Sequence, residues 1–326
     1  MKVFIDPSCD IQYSSFYIYG LYSVYGKNNV IFSSKYFKYF NHNNHFFAFV
    51  VVDREILKRI VLDYTDSKII DQLALDWCDV YGKINLAPSS IKSDKIISIG
   101  PSFGIQIYSK IETLWFALSN LLKSSSRIKN KRKFLSDYKA QYKRPKLIDY
   151  KYKPNAKNFV FFIASLWKNE EQTNLFRANY IRGCRNNAKI DFKGGFAPRT
   201  KNDIQDYEEV TVNSRVDMDV YLSKIIDSAI VFNTPAVKGC HGWKLAEYLC
   251  LGKAIISTPL SRQLPKNLMD NEHVIYSNGS QEDISLKLDE IMSNIDLRKR
   301  LESNAKNYFD TYLSPEQVVK RVVNIS

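Results

Sequence analysis

One carboxylate stands on the apolar side of a predicted helix in the second half of the chain. At about 100° per residue, Glu247 falls about 40° from Trp243, inside an apolar arc. The arc also holds Ala246, Cys250 and Leu251. Because burying a carboxylate without a partner is costly, we expect Glu247 either to face a cleft or to meet a fixed hydrogen-bond donor.

The start of the same helix has the chemistry of an anion site. Gly242 begins the helix directly after the loop that leaves the strand "AIVFN" (229–233). Backbone N–H groups and the helix dipole point outwards at such a start and favour a bound anion. A diphosphate on these groups, with ribose hydroxyls on Glu247, would suit a nucleotide bound in an interdomain cleft. The alternative is a helix whose glutamate pairs with a neighbouring lysine or with backbone.

This helix belongs to a regular alternation of predicted strands and helices along the chain. Apolar runs of strand length, such as "KVFI" (2–5) and "FVFFIASLW" (159–167), alternate with longer helical patterns. The alternation predicts βαβ units and parallel sheets. In the first half, the helical stretches are expected at "SSKYFKYF" (33–40) and at "REILKR" (54–59). A basic, Pro-containing segment at 144–154 is predicted to link two domains.

The stretch "GWKLAEYLCLGKAIISTPL" (242–260) resembles the donor-binding segment of GT-B glycosyltransferases, especially the family-4, or group 1, type. In that family a glutamate five residues before a glycine binds the ribose of the nucleotide sugar, and Glu247 stands five residues before Gly252. Gly239 stands where the first glutamate of the family motif falls. The resemblance covers residues 225–323 best, 159–225 weakly, and the first half by architecture.

The resemblance implies an α/β, GT-B fold with two Rossmann-like parallel-sheet domains that face a cleft. Residues 1–150 would bind the acceptor and 151–326 the donor, with a last helix over 315–326 returning to the first domain. The implied reaction moves a sugar from a UDP- or GDP-linked donor to a saccharide or lipid-linked saccharide. Bacterial surface polysaccharide or another glycan is the expected product, and no separate cofactor or metal is expected.

Several further residues are candidates for the donor site. Lys168 and Arg177 follow the first strand of the second domain, where the resemblance places basic residues on the donor diphosphate. Trp167 would form a wall for the base or the sugar. Gly242, Trp243, Lys244 and Arg262 flank the expected donor site. The alternative for the basic residues is an ordinary surface position on a helix.

The catalytic and acceptor candidates lie mainly in the first half. Asp6 and Asp10 stand in the first strand–helix loop, where inverting GT-B enzymes place the base that deprotonates the acceptor hydroxyl. Their alternative role is helix capping. Ser102 and Gly104 in "GPSFGI" (100–105) could hold the acceptor or simply start a helix. His241 is a further catalytic candidate because it precedes the nucleotide-binding helix.

Neither metal binding nor disulfide formation is predicted. The triplet "DMD" (217–219) stands just before a helical run, where an aspartate caps the first turn, and the four histidines lack ligand spacing with cysteine. The five cysteines contain no C-x-x-C pair, which favours free thiols in a reducing cytoplasm. The 21 tyrosines and 19 phenylalanines predict aromatic cores and clefts.

Positive charge is concentrated in one segment. The formal net charge is +13, and residues 123–146 hold ten basic residues against one acidic residue. Such a segment suits an anionic membrane surface, a polyphosphate or a nucleic acid, and its alternative is a solvated helix and linker. An anionic membrane is the expected partner of 123–146, which would hold a cytoplasmic enzyme at the inner face of the membrane.

Two other classes of function stay open from the residues alone. A nucleotide-sugar enzyme of the same fold with other chemistry, such as an epimerase, would need the same donor site. A non-catalytic nucleic-acid-binding protein is favoured by charge. No basic recognition helix and no aromatic RNA-binding signature accompanies that charge, so nucleic acid is not an expected partner.

Overall fold

The computed structural model describes residues 1–40, 46–90, 93–153, 158–200 and 204–323. The chain divides into two compact units. Unit 1 comprises Met1–Asp149, Arg262–Lys266 and Thr311–Ser326. Unit 2 comprises Tyr150–Ser261 and Asn267–Asp310.

Within its described residues, unit 1 contains one six-stranded sheet with the order β2-β1-β3-β4-β5-β6. Its strands are β1 (Lys2–Ile5), β2 (Val30–Phe32), β3 (Phe46–Asp53), β4 (Ile56–Asp63), β5 (Val80–Lys83) and β6 (Ile96–Ser98). Its first helices are α1 (Ile11–Tyr25), α2 (Gln72–Trp77), α3 (Lys110–Lys123) and α4 (Lys131–Tyr142).

The sheet of unit 1 is mixed, so the prediction of a parallel sheet is wrong for the pairings of β3. β3 runs antiparallel to both β1 and β4, whereas the other neighbouring strands are parallel. The expected helix at 54–59 is also wrong. Arg54, with φ of 53°, and Glu55 form a two-residue turn, and Asp53 then pairs with Ile56. The chain therefore returns at once as a strand, and a helix has no room to form.

The helix expected at 33–40 is replaced by turns. Backbone N–H groups of Phe37 and Phe40 donate to the carbonyls three residues earlier. Both rings are buried against Trp77, with ring centroids 5.8 and 4.6 Å away. The aromatic spacing therefore serves a packed turn rather than a helix face.

In its described residues, unit 2 has parallel strand pairing throughout. β7 (Phe159–Ala164) pairs with β8 (Asp191–Phe196), while β9 (Ile230–Asn233) pairs with β10 (Ala254–Ser257), which pairs with β11 (Ile275–Tyr276). Ala229 N donates to Phe159 O at 2.8 Å and so joins the two sets of strands. The helices are α5 (Glu171–Asn186), α6 (Met218–Asp227), α7 (Trp243–Cys250), α8 (Gln281–Ser293) and α9 (Ile295–Tyr308). The α/β class is as predicted.

The last helix, α10 (Pro315–Val323), belongs to unit 1 and packs against α1. Pro315 stands at its first turn, where a missing N–H is tolerated. Val318, Val319 and Val322 are buried. None of the helices in the described part of the chain has the length and apolar character required to span a bilayer.

Candidate active site

Glu247 is a buried carboxylate with two fixed donors inside unit 2. The residue is 4% exposed. Its Oε1 accepts a hydrogen bond from the Tyr150 hydroxyl at 3.3 Å, and its Oε2 accepts one from the Tyr221 hydroxyl at 3.0 Å. Of the two expectations for Glu247, a fixed hydrogen-bond donor is therefore met inside unit 2. Burial, and then the charge of Glu247, raise the pKa of Tyr221 well above its usual value.

Lys244 lies one turn before Glu247 on α7. Its Nζ donates to the carbonyl of Ile163 on β7 and sits 4.9 Å from the ring centroid of Phe162. Burial and the neighbouring charge of Arg177 lower the pKa of Lys244 to about 7, and Glu247 acts in the opposite direction. This ammonium therefore titrates near neutral pH.

Arg177 brings a second buried cation to the same region. It lies on α5, and its Nη1 donates to the Ser165 carbonyl at 2.9 Å. Burial lowers its pKa to about 10, although Tyr248 and Cys240 partly offset the effect. The carboxyl end of β7, α5 and α7 thus bring together three predicted donor residues, Arg177, Lys244 and Glu247.

The loop after β7 carries Trp167 and Lys168, and both side chains are exposed. Asn174 on α5 holds this loop, because its Oδ1 accepts from Trp167 N at 3.0 Å and its Nδ2 donates to Trp167 O at 2.8 Å. The Trp167 ring is therefore available as a wall on a well-anchored backbone.

The loop before α7 places the remaining candidates of unit 2. Gly242 is the N-cap residue, His241 is buried and Trp243 is half-buried. A Cβ atom added to Gly242 would meet Ala236 Cβ at 3.8 Å, an ordinary contact. Close packing therefore does not require a glycine at position 242. Gly242 leaves the backbone at this helix start uncovered by a side chain.

The two candidate bases of unit 1 have structural partners. Asp6 accepts two hydrogen bonds from the Arg127 guanidinium, at 2.9 and 2.7 Å. Asp10 caps α1 by accepting from Gln12 N at 3.0 Å, and its Oδ2 accepts from Lys133 Nζ at 3.1 Å. The capping alternative therefore describes Asp10. The role of either carboxylate as a general base stays a prediction.

The acceptor candidates are buried in unit 1. The Ser102 hydroxyl lies 2.9 Å from the Tyr17 hydroxyl, and the Gly104 carbonyl accepts from Arg144 Nε at 3.1 Å. The segment starts no helix, because α3 begins later, with Ser109 as its cap. Arg262, a donor candidate, falls in unit 1 rather than unit 2. The acceptor and donor roles of these residues stay predictions.

The described residues contain no group of three or more His, Cys, Asp and Glu side chains that could hold a metal ion. Asp217 occupies the N-cap position of α6. His42 and His45 lie outside the described residues.

The sequence did not reveal the hydrogen-bond partners that hold Glu247 and Asp6 in place. Tyr150 and Tyr221 are 97 and 26 residues away from Glu247 along the chain. Arg127, the partner of Asp6, is 121 residues away from it. A high tyrosine content was the one signal, and it cannot assign a partner.

Solved glycosyltransferase structures show weak similarity to the chain, and no curated protein matches it. The C-terminal domain of a glycosyl transferase group 1 protein (LpcC) from Francisella tularensis is 18% identical, over 48% of this chain and 86% of that one, with a TM-score of 0.37. HepE from Anabaena, with UDP and glucose, is 10% identical over 78% and 64%, with a TM-score of 0.45.

A TarM mutant from S. aureus, in complex with Fondaparinux, alpha-GlcNAc-glycerol and UDP, is 11% identical. The match covers 94% of this chain and 57% of that one, with a TM-score of 0.47. The chain thus spans less than two thirds of the length of HepE and of TarM. Scores at this level assign neither the fold nor the site.

A family comparison is more specific. The family described as "Glycosyl transferases group 1" matches residues 144–308, half of the 326-residue chain. The matched range includes all of α5, α6 and α7, and with them Arg177, Lys244 and Glu247. The chain belongs to the glycosyl transferases group 1 family, as the segment around Glu247 predicts.

Proposed function

We propose that the chain transfers a sugar from a UDP- or GDP-linked donor to a hydroxyl of a saccharide or lipid-linked saccharide. The product would be a bacterial surface polysaccharide or another glycan. One observation carries the donor half of this proposal: a buried carboxylate and two buried or half-buried cations meet at the start of α7 and the end of β7.

The two cations suit the diphosphate of the donor. Burial lowers the pKa of both Lys244 and Arg177, and the charge of Arg177 lowers the pKa of Lys244 further. An anion between the two side chains would relieve both the burial and the repulsion. The N-terminus of α7 adds backbone N–H groups and the positive end of a helix dipole. We therefore place the diphosphate against Lys244, Arg177 and the backbone at Gly242.

Glu247 suits the ribose. A carboxylate has about four lone-pair sites, and the two tyrosine hydroxyls use one site on each oxygen. A carboxylate can accept bonds from two adjacent ribose hydroxyls, and we assign that role to Glu247. The tyrosines then act as positioning residues, because they fix the direction in which Glu247 accepts.

Unit 1 is proposed to bind the acceptor and to supply the base. Asp10 is the better candidate for the base, because Asp6 is held by a bidentate guanidinium. Asp10 Oδ2 is bound by Lys133, a side chain that is 53% exposed and so is easily displaced. The basic segment 123–146 is proposed to hold the chain at an anionic membrane surface, where a lipid-linked acceptor would be found.

Nucleotide binding by two matched lysine variants tests the donor site. Lys244 and Lys224 both lie over an aromatic ring of β7, at 4.9 Å from Phe162 and 5.1 Å from Phe161. We expect Lys244→Met to weaken UDP or GDP binding roughly 10- to 150-fold, the equivalent of one charge-assisted hydrogen bond. Lys224→Met should bind as the parent protein does. Equal affinities for the two variants would contradict the placement of the diphosphate.

Product analysis separates the proposed reaction from other nucleotide-sugar chemistry. Sugar nucleotides are incubated with and without saccharide acceptors. Release of UDP or GDP that depends on the acceptor supports glycosyl transfer. Conversion of the sugar nucleotide into an isomer without any acceptor would instead identify an epimerase.

A further inference from the structure

Helix α3 presents a large apolar face to the outside of unit 1. Five side chains on it, each a large apolar one, are between 57% and 81% exposed. At about 100° per residue they fall within one arc of about 100°. They are Ile111, Leu114, Trp115, Leu118 and Leu122.

The fully buried residues of α3 are small or polar, Phe116 and Leu121 are half-buried, and the other large apolar side chains are exposed. This distribution reverses the usual arrangement of a surface helix. Thr113, Ala117 and Asn120 are its buried residues. Asn120 Nδ2 donates to the Tyr138 hydroxyl of α4 at 2.8 Å, so packing fixes which face points outwards. A capping box formed by Ser109 and Glu112 stabilises the start of the helix. The outward apolar face is thus a built feature of a well-formed helix.

Positive charge is concentrated in α3 and in the segment that follows it. Residues 110–146 contain eleven basic and two acidic residues, and both acidic side chains are already engaged in ion pairs. Glu112 pairs with Lys27 and Asp137 pairs with Lys133. Exposed basic side chains occur at both ends of α3 and in the following segment. They include Lys110, Lys123, Lys129, Lys131 and Arg132.

We propose that α3 is the element that enters a membrane surface, with its apolar face in the boundary between headgroups and acyl chains of an anionic bilayer. The basic residues around it would contact the lipid phosphates. This inference deepens the membrane association proposed above, on which it rests. It assigns the contact to a helix face, whereas charge alone assigns it to the segment 123–146.

A bilayer fits this face better than a second copy of the chain. Packing two copies through α3 would bring two lysine-rich rims together, and like charges oppose such an interface. Anionic lipid complements the same rim. A 14-residue helix, about 21 Å long, is too short to span a bilayer but can lie in its surface. Trp115 is a residue type enriched at that depth.

The test compares two triple variants in vesicle binding. The α3 variant carries Ile111→Gln, Trp115→Gln and Leu118→Gln. The control carries Ile56→Gln, Ile69→Gln and Leu73→Gln, at residues of unit 1 that are each 73% exposed. We expect the α3 variant to lose at least about 30-fold in partition onto phosphatidylglycerol-containing vesicles, since interfacial binding scales with buried apolar area. The control should stay within about twofold of the parent protein.

Depth is tested by quenching of tryptophan emission with lipids brominated in their acyl chains. Trp115→Phe keeps an apolar side chain, so it should bind the vesicles as the parent does. We expect bromolipid quenching in the parent protein and its loss in Trp115→Phe. Quenching that persists in this variant would place another tryptophan in the membrane and overturn the assignment to α3.

The remaining outcomes separate this inference from the proposed function. Unchanged binding of the α3 variant, with strong binding by the parent, would overturn the role of α3 and leave membrane association standing. Failure of the parent to bind any anionic vesicle would overturn both, whereas UDP or GDP binding would still report on the donor site. A dimer of the parent that becomes monomeric in the α3 variant, without vesicle binding, would identify a second copy as the partner.

Discussion

Glu247 is fixed by side chains of its own unit, and its binding of the donor ribose stays a proposal. The hydroxyls of Tyr150 and Tyr221 each donate a hydrogen bond to one carboxylate oxygen of Glu247. The buried charge is therefore stabilised by the protein before any ligand binds. A carboxylate held in this way can be preorganised for ribose hydroxyls, and it also contributes to stability. A binding role predicts that mutation lowers nucleotide affinity, and a structural role predicts that it lowers the free energy of unfolding. The two quantities must therefore be measured separately.

Glu247→Gln is expected to change stability and donor affinity together. The amide replaces one acceptor oxygen by a donor, so one tyrosine bond weakens and the free energy of unfolding falls by ~1–2 kcal/mol. Nucleotide affinity falls in addition, roughly 10- to 150-fold, because a ribose hydroxyl loses a charged acceptor. Urea unfolding and calorimetric titration with UDP and GDP measure the two effects.

Tyr221→Phe is the matched control for that variant. It removes one hydrogen bond from Glu247 Oε2 but leaves the carboxylate in place. We expect a similar loss of stability with a much smaller loss of nucleotide affinity. If Glu247→Gln lost stability alone, as Tyr221→Phe would under a purely structural role, the ribose assignment would be contradicted.

Lys244 predicts a pH dependence of donor binding. Burial, and then the charge of Arg177, lower its pKa to about 7. A bound diphosphate favours the charged form, so binding near pH 8 should take up a fraction of a proton. Affinity should therefore fall as pH rises from 7 to 9, by at most about tenfold per unit. Titration calorimetry in buffers of different ionisation enthalpy counts the proton.

Lys244→Arg supplies the control, because a guanidinium stays charged throughout this range. The variant should show little proton uptake and a flatter pH profile. Tyr221 and Glu247 also face this ammonium, but burial and Glu247 push the pKa of Tyr221 far above the range tested. Identical uptake by the parent and by Lys244→Arg would exclude Lys244 as the titrating group.

Local spacing could reveal Glu247 but not its partners. The helical wheel and the five-residue distance to Gly252 depend on neighbours in the chain, and both are visible in one short stretch. Tyr150, which precedes β7, and Tyr221 on α6 reach Glu247 on α7 only in the folded unit. The same limit applies to Asp6, whose guanidinium partner lies 121 residues further along.

At the scale of elements, the continuous apolar runs of unit 2 predicted its strands correctly. The strands β7, β9 and β10 are buried runs between helices, and their parallel pairing is the arrangement expected for βαβ units. The β3–β4 hairpin was missed because "REILKR" is compatible with a helix when read alone. Only the eight-residue ladder with β3 makes it a strand, and a ladder is a non-local property.

Asp10 caps the N-terminus of α1, and two variants can distinguish this capping role from a role as the general base. Asparagine caps a helix about as well as aspartate, whereas alanine loses ~1 kcal/mol. Asp10→Asn should therefore keep the free energy of unfolding close to that of the parent, and Asp10→Ala should not. If Asp10 is the base, Asp10→Asn also loses sugar transfer by a factor of roughly 10²–10⁴, with donor affinity unchanged.

Comparison of Asp10→Asn with Asp10→Ala also tests whether the role of Asp10 is purely structural. Under that role, Asp10→Asn would retain transfer, and only Asp10→Ala would lose activity in parallel with stability. Transfer rates and unfolding curves on the two variants therefore decide the matter. Retained transfer in Asp10→Asn would contradict the assignment of the base to this residue.

At the scale of the whole molecule, the chain returns to unit 1 after it has completed unit 2. The break from α9 to α10 was visible as Ser314-Pro315, because proline favours the first turn of a new helix. The surface on which α10 packs was not visible. It depends on Gly20 in the middle of α1, where the absence of a side chain admits the backbone of α10.

A comparison of two helical glycines tests this packing. A Cβ atom on Gly20 would lie 2.6 Å from the carbonyl carbon of Pro315 and 2.9 Å from Val319 Cγ2, distances that real Cβ atoms essentially never show. Gly20→Ala should therefore lower the free energy of unfolding by ~1–3 kcal/mol. Gly183 in α5 is the control, because its Cβ would meet neighbours at 3.4 Å and alanine is the better helix former by up to about 1 kcal/mol.

The expected pattern is loss of stability in Gly20→Ala and equal or greater stability in Gly183→Ala. Hydrogen exchange should show faster exchange in α1 and α10 of the Gly20 variant, because overpacking separates those two helices. Nucleotide binding at temperatures below unfolding should be unchanged, since Lys244, Arg177 and Glu247 all belong to unit 2. Equal stability of Gly20→Ala and the parent would show that α10 does not hold the close approach to α1, and the return of the chain to unit 1 would then lack its main packing contact.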